Sequence, residues 1–147
     1  MSIERFNIRV YGLLLRHGQV LVTDETIAGQ RITKFPGGGL ELGEGPMDCL
    51  VRELREELDA EAVGLEHFYT TGFFQPSAYR AGDQIISIYY RFQLADANTL
   101  HAGTEAFGTP AEGREWCRWL PIAQASLAQV TLPIDRLVME LLLKQPG

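Results

Sequence analysis

Residues 33–59 read TKFPGGGLELGEGPMDCLVRELREELD, a three-glycine turn at Gly37–Gly39 running into a segment dense in acid. Projected onto a helix at about 100° per residue, Met47, Leu50, Val51, Leu54 and Leu58 collect on one side, which would bury that side against a sheet. Glu53, Glu56 and Glu57 collect on another side. Carboxylates at i, i+3 and i+4 repel, at a cost of roughly 0.2 to 0.5 kcal/mol per pair in an isolated helix. Arg52 and Arg55 relieve part of this. A bound cation would relieve it far better, and an all-oxygen donor set suits the hard ions magnesium, manganese and calcium. The helix ends are readable too: Gly45 fits the N-cap, Pro46 takes a first position that needs no N–H, Asp48 complements the dipole, and the helix should stop near Leu58 or Asp59.

Outward from this stretch the pattern alternates between strand and turn. Phe6 to Leu15 reads as a strand, with His17-Gly18-Gln19 turning the chain back into Val20-Leu21-Val22. His17 has no second His or Cys nearby and reads as a turn residue. Ile27 to Gln30 is expected to be a loop, and Arg31 to Phe35 a short strand leading to Pro36 and the glycines. Beyond the helix, Ala62 to Phe74 and Gln84 to Leu94 read as an antiparallel pair joined by a loop over Gln75 to Asp83. Ala95 to Arg114 is a long polar connection of the kind that forms lids or binding loops. Glu115 to Leu120 returns to strand, Pro121 to Leu127 reads as a short helix, and Leu132 to Leu143 as an amphipathic terminal helix. Neither repeat nor linker divides the chain, so one domain over residues 1–147 is expected, with a mixed sheet covered on both faces by helices.

Composition excludes several classes. The chain has 147 residues, 46% hydrophobic and 22% charged, in the range of a globular domain with a sizeable core. No apolar run approaches the roughly 18 residues of a membrane span, and Glu4 and Arg5 stand where a signal peptide needs its apolar core. No membrane partner is expected, and the expected compartment is the cytoplasm. Two cysteines, Cys49 and Cys117, are too few for a zinc site and read as packing residues. A net charge of −6 argues against nonspecific nucleic-acid binding. It leaves room for a small phosphorylated molecule held through divalent ions.

The glycine turn alone fits neither a P-loop nor a dinucleotide fingerprint. The whole string is more specific: from Gly38, five residues to Glu44, seven more to Arg52-Glu53, then Leu54, Arg55 and Glu56-Glu57. This resembles the Nudix box, with Pro36, Gly37, Leu40, Glu41 and Gly43 also similar to that family. The likeness fails at its end, where Asp59 replaces the usual glycine and Ala60 a bulky aliphatic residue. Asp tolerates a left-handed backbone better than most residues, so the departure should touch the helix stop and not the acids. Glycine at this position is expected to leave activity nearly unchanged. Trp119-Leu120-Pro121 before a short helix also looks like this family.

The resemblance implies an α/β/α sandwich with a mixed β-sheet and a pyrophosphohydrolase acting on acid anhydrides. It also implies Mg2+ or Mn2+ as cofactor and, as partner, a small-molecule nucleoside diphosphate linked to another moiety: a nucleotide sugar, an ADP-ribose type or a nucleoside triphosphate. By the same resemblance Gly38, Glu53, Glu56 and Glu57 are metal-facing, Arg52 orients the carboxylates, and Glu44 braces Arg52 or the loop. Water would attack a phosphorus of the bridge, with Glu56, Glu57 or a loop acid (Glu105, Glu112 or Glu115) taking its proton; Glu112, in the glycine-bounded turn from Gly108 to Gly113, is the preferred base. Arg31 and Lys34 are candidates for phosphate contact, and Phe73, Phe74, Tyr79, Tyr89, Tyr90 and Trp116 for base stacking. A homodimer is an admissible assembly. The alternatives are a catalytically silent nucleotide sensor of the same fold and a calcium-stabilised structural domain; the latter lacks the EF-hand loop.

Overall fold

The computed structural model describes residues 2–145. Its first strand, β1 (Arg5–Leu13), alternates between two cores: Val10 faces one and Tyr11 the other. The chain breaks at Leu14, pairs briefly through β2 (Leu15–Arg16), and turns at His17 (φ 50) and Gly18 (φ 75) into β3 (Gln19–Ile27). A second two-residue turn, Ala28 (φ 51) and Gly29 (φ 79), leads into β4 (Gln30–Lys34). Paired positive φ angles suit the right-handed twist of a hairpin. Next come β5 (Gly37–Gly39), α1 (Pro46–Leu58), β6 (Ala62–Thr70), β7 (Asp83–Leu94), β8 (Trp116–Pro121) and α2 (Pro133–Leu143).

The expected mixed sheet is realised as two four-stranded sheets. One has the order β5-β1-β7-β6, with β1 and β7 parallel and the other pairs antiparallel. In the other, antiparallel throughout, β3 pairs with β8 along one edge and with β2 and β4 along the other. Leu50, Leu54 and Leu58 of α1 pack with Val10, Leu21 and Phe92 in one core. On the far face, Ile134, Val138, Met139 and Leu142 of α2 pack with Leu13, Val22, Phe35 and Tyr89 in the second. Helix, sheets, helix is thus the layering, an α/β/α arrangement. Among the described residues no helix is long and apolar enough to cross a membrane.

Several sequence expectations change in detail. Met47, placed on the buried stripe of α1, is 49% exposed, and fully buried Cys49 takes up part of that face. β6 ends at Thr70 and not at Phe74, because the chain turns away at Gly72 after Thr71 has bonded Ser87; Phe73 and Phe74 are exposed. The short helix expected over Pro121 to Leu127 is a 3-10 turn at Gln124–Ala128, β8 having continued through Pro121.

The connection from Ala95 to Arg114 is held at several points. Trp116 packs against Gly103 and Gly108, where any side chain would collide with its ring. Its Nε1 donates to the Glu105 carbonyl at 2.8 Å, and the Phe107 N–H donates to Asp24 at 2.9 Å.

Candidate active site

The glycines bring a strand and a helix into contact. Gly37 (φ 149) lies so close to the backbone of Val10 and Tyr11 that a Cβ would clash, and at Gly38 a Cβ would collide with the Glu53 carboxylate. Glu53 can therefore rest directly on the β5 backbone. Helix α1 begins with the Gly45 N–H donating to Asp48 at 2.9 Å and ends at Asp59 in the left-handed conformation (φ 52, ψ 40), as expected of an Asp there.

Arg52 is the hub. Its guanidinium donates in a fork to Glu44 (Nε 3.0 Å, Nη2 2.7 Å), to Glu53 at 3.0 Å, to Glu56 at 3.3 Å and to the Gly39 carbonyl at 3.1 Å. Glu44 also accepts the Glu41 N–H at 3.0 Å, closing the glycine loop. The Arg52 hydrogen bonds hold the Glu44 carboxyl down to about 2. The structure thus gathers Gly39, Glu44, Glu53 and Glu56 around the Arg52 guanidinium, with the Gly38 backbone against the Glu53 carboxylate and the Glu56 side chain 59% exposed.

Glu57 lies beside Glu53 and Glu115 in a crowded group of acids. Burial pushes its carboxyl up to about 9; Lys34 opposes the shift while Glu115 and Glu53 add to it. Glu115 is pushed up to about 7, first by burial and then by Glu25. One oxygen of Glu57 and one of Glu115 are buried without a hydrogen-bond partner. Lys34 approaches Glu25 at 3.6 Å, and its charge is held by Glu57 and Glu25 against burial.

Among the described residues no three His, Cys, Asp or Glu side chains form a finished cage. The orphaned buried oxygens, their hard-donor chemistry and the shortage of positive charge nonetheless fit a divalent ion. Glu112 is exposed and makes no hydrogen bond or ion pair with these acids, whereas Glu115, immediately before β8, lies among them. Of the loop acids, the structure brings Glu115 and not Glu112 against Glu57.

Beside the acids opens a cavity of about 260 Å³. Arg9 and Lys34, both close enough to feel the Glu57 charge, line it together with Tyr11, Tyr79, Tyr89 and Asp135. Arg9 donates to the Tyr11 hydroxyl at 3.1 Å, and both Arg9 and Lys34 lie 5.8 Å from the Tyr11 ring centre. Tyr11 and Tyr89 have ring centres 5.3 Å apart. The Tyr89 hydroxyl donates to buried Asp135, which also accepts the Phe35 N–H at 3.2 Å; burial raises the Asp135 carboxyl to about 6.

Of the two basic candidates only Lys34 reaches this cavity. Arg31 is exposed and stacks over Phe107 at 4.8 Å, by a separate cleft that Trp116 also lines. Of the aromatic candidates Tyr79 and Tyr89 line the cavity, Tyr90 packs in the α1 core, and Phe73 and Phe74 lie outside it. Arg9 and Asp135 were not singled out from sequence. The available signal was a charge breaking an apolar run, Arg9 within a strand and Asp135 at the start of a greasy helix.

The NUDIX domain family model matches residues 4–142. Among curated proteins none matches the sequence significantly. Among solved structures, the chain is similar to the E. coli ORF135 protein, at 24% identity and TM-score 0.64 over 92% of this chain and 87% of that one. It is similar to a NUDIX hydrolase from Nitrosomonas europaea at 18% identity and TM-score 0.68, over 91% and 86%. A structure of MutT, from a comparison of the Aliivibrio salmonicida and Vibrio cholerae proteins, matches at 21% identity and TM-score 0.66, over 97% and 100%. At these identities the structural likeness carries the fold, while the domain match carries the family. The chain belongs to the NUDIX family and is a Nudix-type pyrophosphohydrolase acting on nucleoside diphosphate derivatives.

Proposed function

We propose that the protein hydrolyses the diphosphate bridge of a nucleoside diphosphate derivative with the help of Mg2+ or Mn2+, binding the nucleoside in the cavity floored by Tyr11 and Tyr89. The observation that carries this reading is adjacency. A group of acids short of positive charge, Glu53, Glu57 and Glu115, adjoins a cavity whose near wall carries Arg9 and Lys34. A phosphate chain leaving the cavity would pass these two cations before meeting the acids, so one molecule can satisfy both.

Glu53, Glu56, Glu57, Glu115 and the Gly38 carbonyl are the groups that would hold the ion. When bound, it would neutralise phosphate charge and lower the pKa of water. Arg52 holds Glu53 and Glu56 in position, and Glu44 keeps Arg52 in place. Lys34 and Arg9 draw charge from the phosphate oxygens and orient the bridge in line with the attack. A carboxylate of this group that the ion leaves free would take the proton of the attacking water. The water oxygen bonds to phosphorus as the bridging P–O bond breaks, giving two phosphate-terminated products. The Tyr11 and Tyr89 rings, with Tyr79 at the rim, would pack against the base.

The test is turnover. The protein is incubated with Mg2+ or Mn2+ and a panel of nucleoside triphosphates, dinucleoside polyphosphates, ADP-ribose and nucleotide sugars, with a chelator control. Metal-dependent release of a nucleoside monophosphate or phosphate, abolished in Glu57→Gln, is expected. Hydrolysis undiminished in that variant would sink the site, and binding without turnover across the panel would favour a nucleotide sensor.

A further inference from the structure

The C-terminal end of α1 carries the backbone carbonyls of Glu56 and Glu57, beyond the reach of helical amides. Both are capped by residues more than fifty positions further along the chain. Arg114 Nη1 donates to the Glu56 carbonyl at 2.8 Å, and the Glu115 backbone N–H donates to the Glu57 carbonyl at 2.8 Å. Arg114 also reaches the Asp59 carboxylate at 3.7 Å. Asp59 is the residue that replaces glycine at the end of the box, and its backbone is left-handed (φ 52), a conformation that glycine adopts more cheaply. The backbone alone therefore gives no reason for an aspartate, whereas the ion pair does. Upstream, the connection is pinned at Trp116 and Asp24; among the described residues Arg114 is the one side chain of residues 108–114 that ties it to α1.

We propose that Arg114 is a positioning residue. Held between the Glu56 carbonyl and the Asp59 carboxylate, it sets the Glu115 carboxylate in register with Glu57, and Asp59 stands at the glycine position as its counter-ion. The inference rests on the reading that these acids hold a divalent ion. It adds two residues that touch neither ion nor substrate yet fix the spacing of two groups that would.

The test titrates Mn2+ alone into wild type, Arg114→Ala, Arg114→Lys and Asp59→Asn, read by calorimetry, alongside hydrogen exchange of the Glu115 amide in metal-free protein. Contacts that orient metal ligands typically affect affinity about 10- to 100-fold. Arg114 is 40% exposed, so a loss of about tenfold is expected for Arg114→Ala, at the low end of that range. Asp59→Asn keeps a residue tolerant of positive φ and the Arg114 contact with the Glu56 carbonyl; about a two- to threefold loss is expected for an exposed ion pair. Arg114→Lys should recover part of the loss. The Glu115 amide should exchange faster in Arg114→Ala while amides of Leu50 to Leu54 do not, and kcat should fall with nucleotide KM little changed. An Arg114→Ala protein that melts earlier but keeps wild-type Mn2+ affinity and Glu115 protection would show a plain helix cap and overturn the proposal. Absence of Mn2+ binding by the wild type would overturn the metal reading instead, and the exchange result would still report on Arg114.

Discussion

Arg52 shows how much one side chain can organise. It meets three carboxylates and a carbonyl with a planar fork of donors, a task that the single ammonium of lysine cannot reproduce. Arg52→Lys should therefore keep the fold and lose about 10- to 100-fold in kcat; a fall of less than threefold, with the melting temperature unchanged, would contradict this role. Asp135 permits a test with a definite sign. Its carboxyl is raised from 3.8 to about 6 by burial, so the folded state holds a proton that the unfolded chain releases, and stability falls as pH rises between those values. Lys34 and Arg9 face it and oppose the shift. Asp135→Asn removes this slope: the stability of wild type relative to the variant, from urea unfolding in chelator, should drop by about 1 to 3 kcal/mol between pH 4 and pH 7. Titrations common to both proteins, such as those of Glu57 and Glu115, cancel in the difference, and a constant difference would refute the shift. At this scale Gly38, Arg52, Glu53, Glu56 and Glu57 were legible because their spacing along a single segment is itself the signal. Glu115 stood out from Glu105 and Glu112 only once the fold had brought it against Glu57, more than fifty positions away. Arg9 was hidden because a charge in an apolar strand does not declare which face it is on.

Among the elements, α1 was the most readable, its start at Pro46 and stop at Leu58 following from Gly45, Pro46 and Asp59. The apolar stripe was right at Leu50, Leu54 and Leu58 and wrong at Met47, because Cys49 is the residue of the first turn that faces the core. The two short hairpin turns differ in cost. His17-Gly18 and Ala28-Gly29 both need positive φ, and at Ala28 that conformation falls on a residue that disfavours it. Ala28→Asn, giving the Asn-Gly pair preferred in such turns, should raise unfolding stability by about 0.5 to 1 kcal/mol without affecting turnover. A destabilised Ala28→Asn protein would show that the turn is held by something other than its backbone preference. The connection over Ala95 to Arg114 was the least legible element. Its anchors are glycines under Trp116 and a backbone N–H on Asp24, contacts that join residues far apart in sequence and leave no periodic trace.

For the whole molecule, two helices press two sheets from opposite sides, and the site lies where strand ends, glycine turn and α1 meet. The expected mixed sheet was legible from interleaved strands and helices, but its division into two sheets was not. That division depends on Leu14, where the chain passes from one sheet to the other while the sequence reads on as one apolar run. The layering also explains why a negatively charged protein can act on a negatively charged substrate: Arg9 and Lys34 lie on the cavity wall while unpaired acid oxygens lie just beyond. Those oxygens are the core of the account, and Mn2+ titrated into wild type and Glu57→Gln addresses them directly. The expected result is saturable binding by the wild type that is weakened at least about tenfold in the variant, which remains folded. Equal Mn2+ affinity in the two proteins would contradict the placement of the metal at this acid cluster.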